Sequence, residues 1–408
     1  MVPEGWKVKQ LADVCSKQIS YGIVQTGEHQ PNGIPCLRVV DLTKDEMHPE
    51  EMIRTSVEIH ESYRKTILEK DEIVMALRGE VGLVREIDAK LVGANITRGL
   101  ARISAKPHIV APEFLLWELR SPKFRADLMR RVGGSALQEI SLSELRKVQT
   151  LIPSLPEQKK IAKILSTWDK AITTTEQLLA NSQQQKKALM QQLLTGKKRL
   201  LDKNGVRFSG EWRVSKLSKL FERVTTKNNG QSTNVVTISG QHGLIRQEEF
   251  FKKAVASETL DGYFLLKQGQ FAYNKSYSNG YPMGAIKRLN RYPDGVVTTL
   301  YICFELSDSG RADSDFWEHY FESGLLNKGL SQIAHEGGRA HGLLNVKPSD
   351  FFSLKVPTPS FEEQQKIAAV LSTADQEISA LQQKLDALKQ EKKALMQQLL
   401  TGKRRVLV

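Results

Sequence analysis

The chain contains part of itself twice. Residues 157–197 align without a gap to residues 363–403, an offset of 206, with 25 identities in 41 positions. The last twelve positions, Lys186–Lys197 and Lys392–Lys403, are identical. The same offset carries Leu11 onto Leu217 and the surroundings of Trp6 onto those of Trp212. A repeat of about two hundred residues is far longer than a solenoid period. The unit is therefore a globular domain followed by one long helix, and the 408 residues hold two such units. Four segments are expected: a domain over 1–153, a helix and linker over 154–204, a second domain over 205–359, and a second helix over 360–408.

Each helix marks its own ends. Ser154-x-x-Glu157 and Ser360-x-x-Glu363 are capping boxes, in which a hydroxyl and a carboxylate satisfy orphan amides of the first turn. Gly196 and Gly402 close the helices, since glycine accepts the left-handed conformation. The apolar stripe between them advances by alternating steps of four and three. In the first copy it reads Ile161, Leu165, Trp168, Ile172, Thr175, Leu179, Ser182, Lys186, Leu189, Leu193. In the second it reads Ile367, Leu371, Ala374, Ile378, Leu381, Leu385, Leu388, Lys392, Leu395, Leu399. This is a heptad seam, which requires a partner helix. The alternative is that each helix lies on its own domain, but about 57 Å of helix overhangs a domain of ordinary size. Helix two can return to helix one only by running backwards. An antiparallel coiled coil is expected, with an approximate two-fold axis and a domain at each end.

The two domains diverge in sequence but are built alike. Strand-like runs occur at 35–40, 72–77 and 99–103 in the first, and at 235–238, 270–273 and 296–304 in the second. Helical runs carrying tryptophan follow, over 112–131 and 314–334. The fold class is α+β.

Charge and composition limit the function. With 59 Lys+Arg against 46 Asp+Glu the formal charge is +13, which suits a polyanionic partner. Of this surplus, +6 falls on residues 154–204. That concentration fits either a solvated helix face or a grip on phosphates or on an acidic partner. No apolar run approaches a membrane span, and the start at Met1 has no signal-peptide pattern. Cys15, Cys36 and Cys303 form no CxxC pair, which fits a reducing cytoplasm. There is no phosphate-loop motif, no N-P-P-F or D-P-P-Y, no H-E-x-x-H and no G-x-S-x-G. The chain reads as a non-catalytic protein with no metal and no cofactor.

The plan of variable domain, EQxKIAxxLSxxD helix ending in KxALMQQLLTGKxR, second variable domain and repeated helix resembles the specificity subunit of Type I restriction–modification systems. The resemblance covers essentially the whole chain. It implies two target-recognition domains, each reading one half of a split site in double-stranded DNA. It also implies helices that set the spacing and bind two copies of the modification (methyltransferase) subunit, with a restriction/motor subunit joining the full complex. A coiled-coil adaptor whose domains bind proteins is the rival reading, separable by salt-sensitive duplex binding.

Base reading needs donors and acceptors on loops, with Arg suited to guanine and Asn or Gln to adenine. In domain one the candidates are Arg78 and Glu80 after an apolar strand, Asn95, Thr97 and Arg98, then Ser135 and Gln138 near Gly133-Gly134. An ordinary surface hairpin accounts equally well for Arg78 and Glu80. In domain two the candidates are Asn274, Lys275, Tyr277, Asn279 and Tyr281, then Thr298 and Thr299, then Arg339 and His341.

Overall fold

In the computed structural model, which describes residues 2–133, 138–250, 259–336 and 344–407, the two stripes form helices Leu155–Leu193 and Phe361–Leu399. Gly196 and Gly402 follow at φ 70° and 68°, the left-handed geometry that ends each helix. The chain divides into two compact units. One comprises Met1–Glu176 with Gln383–Val408, and the other Gln177–Gln382.

In each unit, portions of both helices run side by side. In the first, Asp169 faces Lys392, and Glu176 meets Lys389 at 2.8 Å. In the second, Ser182 donates to Glu377 at 3.3 Å, and Lys186 meets Asp375 at 2.5 Å. Numbers rise on one helix as they fall on the other, so the pairing is antiparallel. Ile161, Leu165, Ile172, Leu179, Leu193, Ile367, Leu371, Leu385 and Leu399 are buried. Trp168, Leu189, Ile378, Leu381, Leu388 and Leu395 are half-buried along the same stripe.

The stripe's ends enter the globular cores. Ile161, Leu165, Leu399 and Leu400 pack with Trp6, Phe114 and Trp117 in the first unit. Leu193, Leu194, Ile367 and Leu371 pack with Phe221, Phe316 and Trp317 in the second. Above each junction sits a clasp. Buried Glu157 accepts from the Trp6 indole at 3.2 Å and from Arg405 twice, at 2.7 and 2.9 Å. Buried Glu363 accepts from the Trp212 indole at 3.0 Å and from Arg199 at 2.6 and 2.8 Å. Each guanidinium also lies over its indole, 5.9 Å and 5.7 Å from the ring centroid. Both glutamates belong to the expected capping boxes, yet their carboxylates turn inward to these partners. Of the second box, the Ser360 hydroxyl accepts from the Glu363 amide at 3.3 Å.

The units share one sheet topology. In the first, a four-stranded antiparallel sheet runs in the order Ser20–Tyr21, Leu100–Ile103, Ile73–Ala76, Val84–Glu86. In the second, the order is Phe221–Val224, Ile302–Leu306, Phe271–Asn274, Ala285–Arg288, again antiparallel. The central strands are buried on both faces. Ile73 and Met75 join one core and Val74 and Ala76 another, and Phe271 and Ala272 divide in the same way. Four expected runs are interrupted. The strand expected over 35–40 ends at Leu37, and Val39–Leu42 forms a short helix with Asp41 held by Arg38. The run over 112–131 breaks into Pro112–Arg120 and Pro122–Arg130, with Ser121 capping the second helix ahead of its proline. That over 314–334 breaks at Gly324, φ 75°. Residues 296–304 form two strands, Asp294–Val297 and Ile302–Leu306, with the turn at Thr298–Tyr301 between them.

Glu118 is wholly buried, and one carboxylate oxygen accepts from the Leu151 amide at 2.7 Å. Burial pushes this carboxyl from 4.5 up to about 8. Between those values the folded chain keeps a proton that the unfolded chain releases, so stability falls as pH rises through the window. Glu118→Gln, which carries no charge, should gain stability relative to the parent between pH 5 and pH 8, read as the difference in urea midpoints. Glu363→Ala strands the Arg199 charge and should cost about 3 kcal/mol. By contrast, Glu176→Ala, at an exposed pair, should cost less than about 1 kcal/mol in the same assay.

Candidate nucleic-acid interface

In the first unit, the strand ends gather several expected residues. Arg78 follows Ile73–Ala76, and its guanidinium donates to Glu139 at 2.9 Å. The Gly79 amide donates to the Gln138 carbonyl at 3.2 Å, and the Leu77 amide to the Gly99 carbonyl at 2.8 Å. Thr97 and Arg98 therefore lie beside Arg78, their amides donating to the Leu37 and Ile23 carbonyls at 2.9 and 2.8 Å. Arg98, Glu80 and Gln138 are exposed, while Arg78 and Thr97 are half-buried. Gly22 permits this gathering, because a Cβ there would stand 1.8 Å from the Ile96 carbonyl oxygen. Tyr21, 46% exposed, precedes it, and sequence reasoning passed over both Tyr21 and Glu139. The signal for Tyr21 was an aromatic next to glycine in a two-residue strand, too short to stand out.

Asn95 does not belong to this surface. It is fully buried, its carbonyl oxygen accepting from the Thr66 hydroxyl at 2.8 Å and from the Ile96 amide at 2.9 Å. Its amide nitrogen sits 3.3 Å from His60. A polar side chain this deep is retained because it is satisfied, and it shapes the loop from within. Ser135 lies outside the described residues, as do Arg339 and His341.

In the second unit the equivalent loop follows Phe271–Asn274. Tyr273 pairs with Ile302, so register brings Asn274 and Lys275 alongside the turn that carries Thr298 and Thr299. Tyr277 is 63% exposed; Asn279 and Thr299 are exposed, while Asn274 and Thr298 are half-buried. Lys275 is held below its ordinary range, chiefly by burial and then by neighbouring Arg223. Arg223 was also missed; it sits in a strand whose flanking Phe221 and Val224 are buried. Two crowded cations relieve their repulsion when an anion such as a phosphate approaches.

Tyr281 serves a different purpose from the one expected. Its hydroxyl donates to Glu322 at 2.5 Å and accepts from Lys287 at 2.8 Å. Lys287 also donates to Glu322 at 2.5 Å and to the Gly240 carbonyl at 3.0 Å. Burial, then Glu322, raises the phenol well above its usual range, so the tyrosine stays protonated. The network anchors one end of the 275–281 loop to the helix Ser314–Glu322. Among the described residues, no group of three or more His, Cys, Asp or Glu side chains is arranged to hold a metal ion. Burial pushes the thiols of Cys15, Cys36 and Cys303 up to about 12, which leaves them unreactive. No helix among the described residues is long and apolar enough to cross a membrane.

Two α+β units of one topology, joined by paired repeat helices, form the architecture of a known class. The Type I restriction–modification S subunit of M. genitalium shares the fold, with a TM-score of 0.57 at 14% identity over 98% of this chain and 99% of that one. The family model described as "Type I restriction modification DNA specificity domain" matches residues 3–181 and 297–390, and the chain belongs to that family. The Type I restriction enzyme EcoBI specificity subunit of Escherichia coli is 30% identical over 168 residues, which is 40% of this chain and 35% of that protein. The MjaVIII specificity subunit of Methanocaldococcus jannaschii is 24% identical over 332 residues, 75% of this chain and 73% of that protein.

Glu322→Ala should leave the Lys287 ammonium, only 10% exposed, without its carboxylate and cost about 3 kcal/mol. Tyr281→Phe keeps the Lys287–Glu322 pair and should cost about 1 kcal/mol. Urea unfolding of both variants, compared with the parent, checks the order.

Proposed function

We propose that the chain acts as the DNA specificity subunit of a Type I restriction–modification complex in the cytoplasm. Each globular domain reads one half of a bipartite site in double-stranded DNA. The helices set the spacing and bind two copies of the modification (methyltransferase) subunit, and a restriction/motor subunit joins the complete assembly. The chain supplies recognition and its partners supply the chemistry. The supporting observation is topological: two sheets of identical strand order present loops at the same strand ends, and those loops carry different side chains. One frame with two dissimilar reading edges is what two different half-sites require.

Binding of two identical partners has its own support. Exposed positions near the C-terminal ends of the two helices are identical, with Lys187, Gln191, Gln192 and Lys197 matching Lys393, Gln397, Gln398 and Lys403. Exposed positions in the middle of the helices are mostly different, for example Leu178 against Lys384 and Ala180 against Asp386. Core packing does not require identity at an exposed site. A partner that makes the same contact twice does.

Replacing residues 205–359 with the corresponding domain of another specificity subunit should change one half of the methylated motif and leave the other half and the spacer intact. Genome-wide mapping of methylated bases reads the result, and a change in both halves or in neither defeats the two-reader assignment. Arg78→Ala should weaken the complex by about 1–3 kcal/mol on the cognate duplex if it contacts a base edge, relaxing preference in the first half-site only.

A further inference from the structure

The first helix carries a cationic strip that its copy lacks. Lys159, Lys163 and Lys170 are exposed and lie at spacings of four and seven residues. At 100° per residue they fall within about 40° of one another, along about 16 Å of helix. Ser166, Thr173 and Thr174 occupy the same face, so it carries no acidic and no large apolar side chain. The three lysines make no ion pair among the described residues. Ser166 fixes where the strip sits, because its hydroxyl accepts from the Trp117 indole at 3.3 Å, beside the helix Pro112–Arg120.

The matching positions in the second helix are Gln365, Ala369 and Gln376, all exposed and all neutral. If solubility alone explained the lysines, both copies would serve equally well. If a partner bound identically to both halves, both copies would keep the charge. The strip therefore meets something that approaches the first half alone. Its composition indicates what that is. Lysine, serine and threonine are among the side chains that donate to phosphate oxygens, lysine adding a full charge, and phosphate contacts carry register without reading bases. A protein partner of comparable area would be met by aromatic or aliphatic anchors, which this face lacks.

We propose that Lys159, Lys163 and Lys170 form a sequence-neutral track for the phosphate backbone of duplex DNA, present on one half of the molecule only. The proposal rests on the DNA-specificity reading above and adds to it a polarity: the spacer beside the first half-site is gripped more strongly than that beside the second.

The test measures duplex affinity against salt for the full chain assembled with its modification subunit. It uses a duplex bearing the methylated motif and an unrelated duplex of equal length. In the variant K159Q/K163Q/K170Q, the slope of log K against log salt should become shallower by roughly 2–3, since each neutralised phosphate contributes about 0.9. The loss should be equal on both duplexes, and the preference for the motif should be unchanged. A control, K65Q/K70Q/K90Q, removes three exposed lysines of the first domain and should alter the slope by less than half as much. An equal effect in the control overturns the track in favour of diffuse charge. An unchanged slope in the first variant overturns it outright. A variant that keeps its slope but loses the modification subunit on gel filtration assigns the strip to a protein instead. Absence of salt-dependent duplex binding in the parent defeats the specificity reading itself, an outcome distinct from the others. Thermal unfolding should be nearly unaltered in both variants, because lysine and glutamine have similar helix propensities.

Discussion

The architecture depends on one charged contact made twice. A carboxylate buried at the start of each long helix would be costly alone, and it is stable only because an indole N–H and a bidentate guanidinium satisfy it together. In the first unit the guanidinium comes from Arg405, at the far end of the chain from Trp6. In the second it comes from Arg199, thirteen residues before Trp212. The geometry is the same although the covalent path is not. Each helix thus begins in one globular core, and its repeat ends in that same core. A loop at a strand end inherits rigidity from this arrangement, because the sheet behind it packs on a helix that cannot slide without breaking the clasp.

Rigidity on one side allows variation on the other. The sheet strands Ile73–Ala76 and Phe271–Asn274 are buried on both faces, so their sequences are constrained by packing. The residues beyond their ends are released from that constraint. Arg78 and Glu80 stand in one loop, Lys275 and Tyr277 in the other, at the same topological address. Side chains can change there with little cost to the fold. Support residues such as Asn95 and Tyr281 mark the limit of that freedom, since changing them leaves buried polar partners unsatisfied.

This division also explains what the sequence made legible. The long helices were readable because heptads, capping serines and closing glycines are local signals, and their duplication repeated each one. The short elements were harder. Pro122 splits one helical run and the Thr298–Tyr301 turn splits one strand, where apolar patterning continues across the break. The candidate loops were located through the strands they follow, whereas the role of each side chain was not. Asn95 looked like a reader because asparagine suits adenine, but burial is a tertiary property that sequence alone does not show. Glu157 and Glu363 looked like capping residues because their spacing matched. The partners that draw them inward lie 151 residues away at Trp6 and Trp212, and farther still at Arg405. Arg223 escaped notice because its four-residue strand is half charged and has no apolar run to mark it.

The polar residues in the heptad seam are best understood through the same duplication. Lys186 and Lys392 interrupt an apolar stripe, and each helix also carries an aspartate in the other repeat-conserved segment, Asp169 and Asp375. A parallel, in-register pairing of the two copies would set lysine beside lysine and aspartate beside aspartate. The antiparallel pairing matches Lys186 to Asp375 and Lys392 to Asp169, each pair lying within one unit. Polar seam positions commonly lower coiled-coil stability in return for specifying orientation. Here one Lys and one Asp per copy suffice, because duplication supplies the complement of each. A sequence repeated head to tail therefore encodes its own reversal in space, and that reversal gives the two globular domains equivalent supports while leaving their surfaces free to differ.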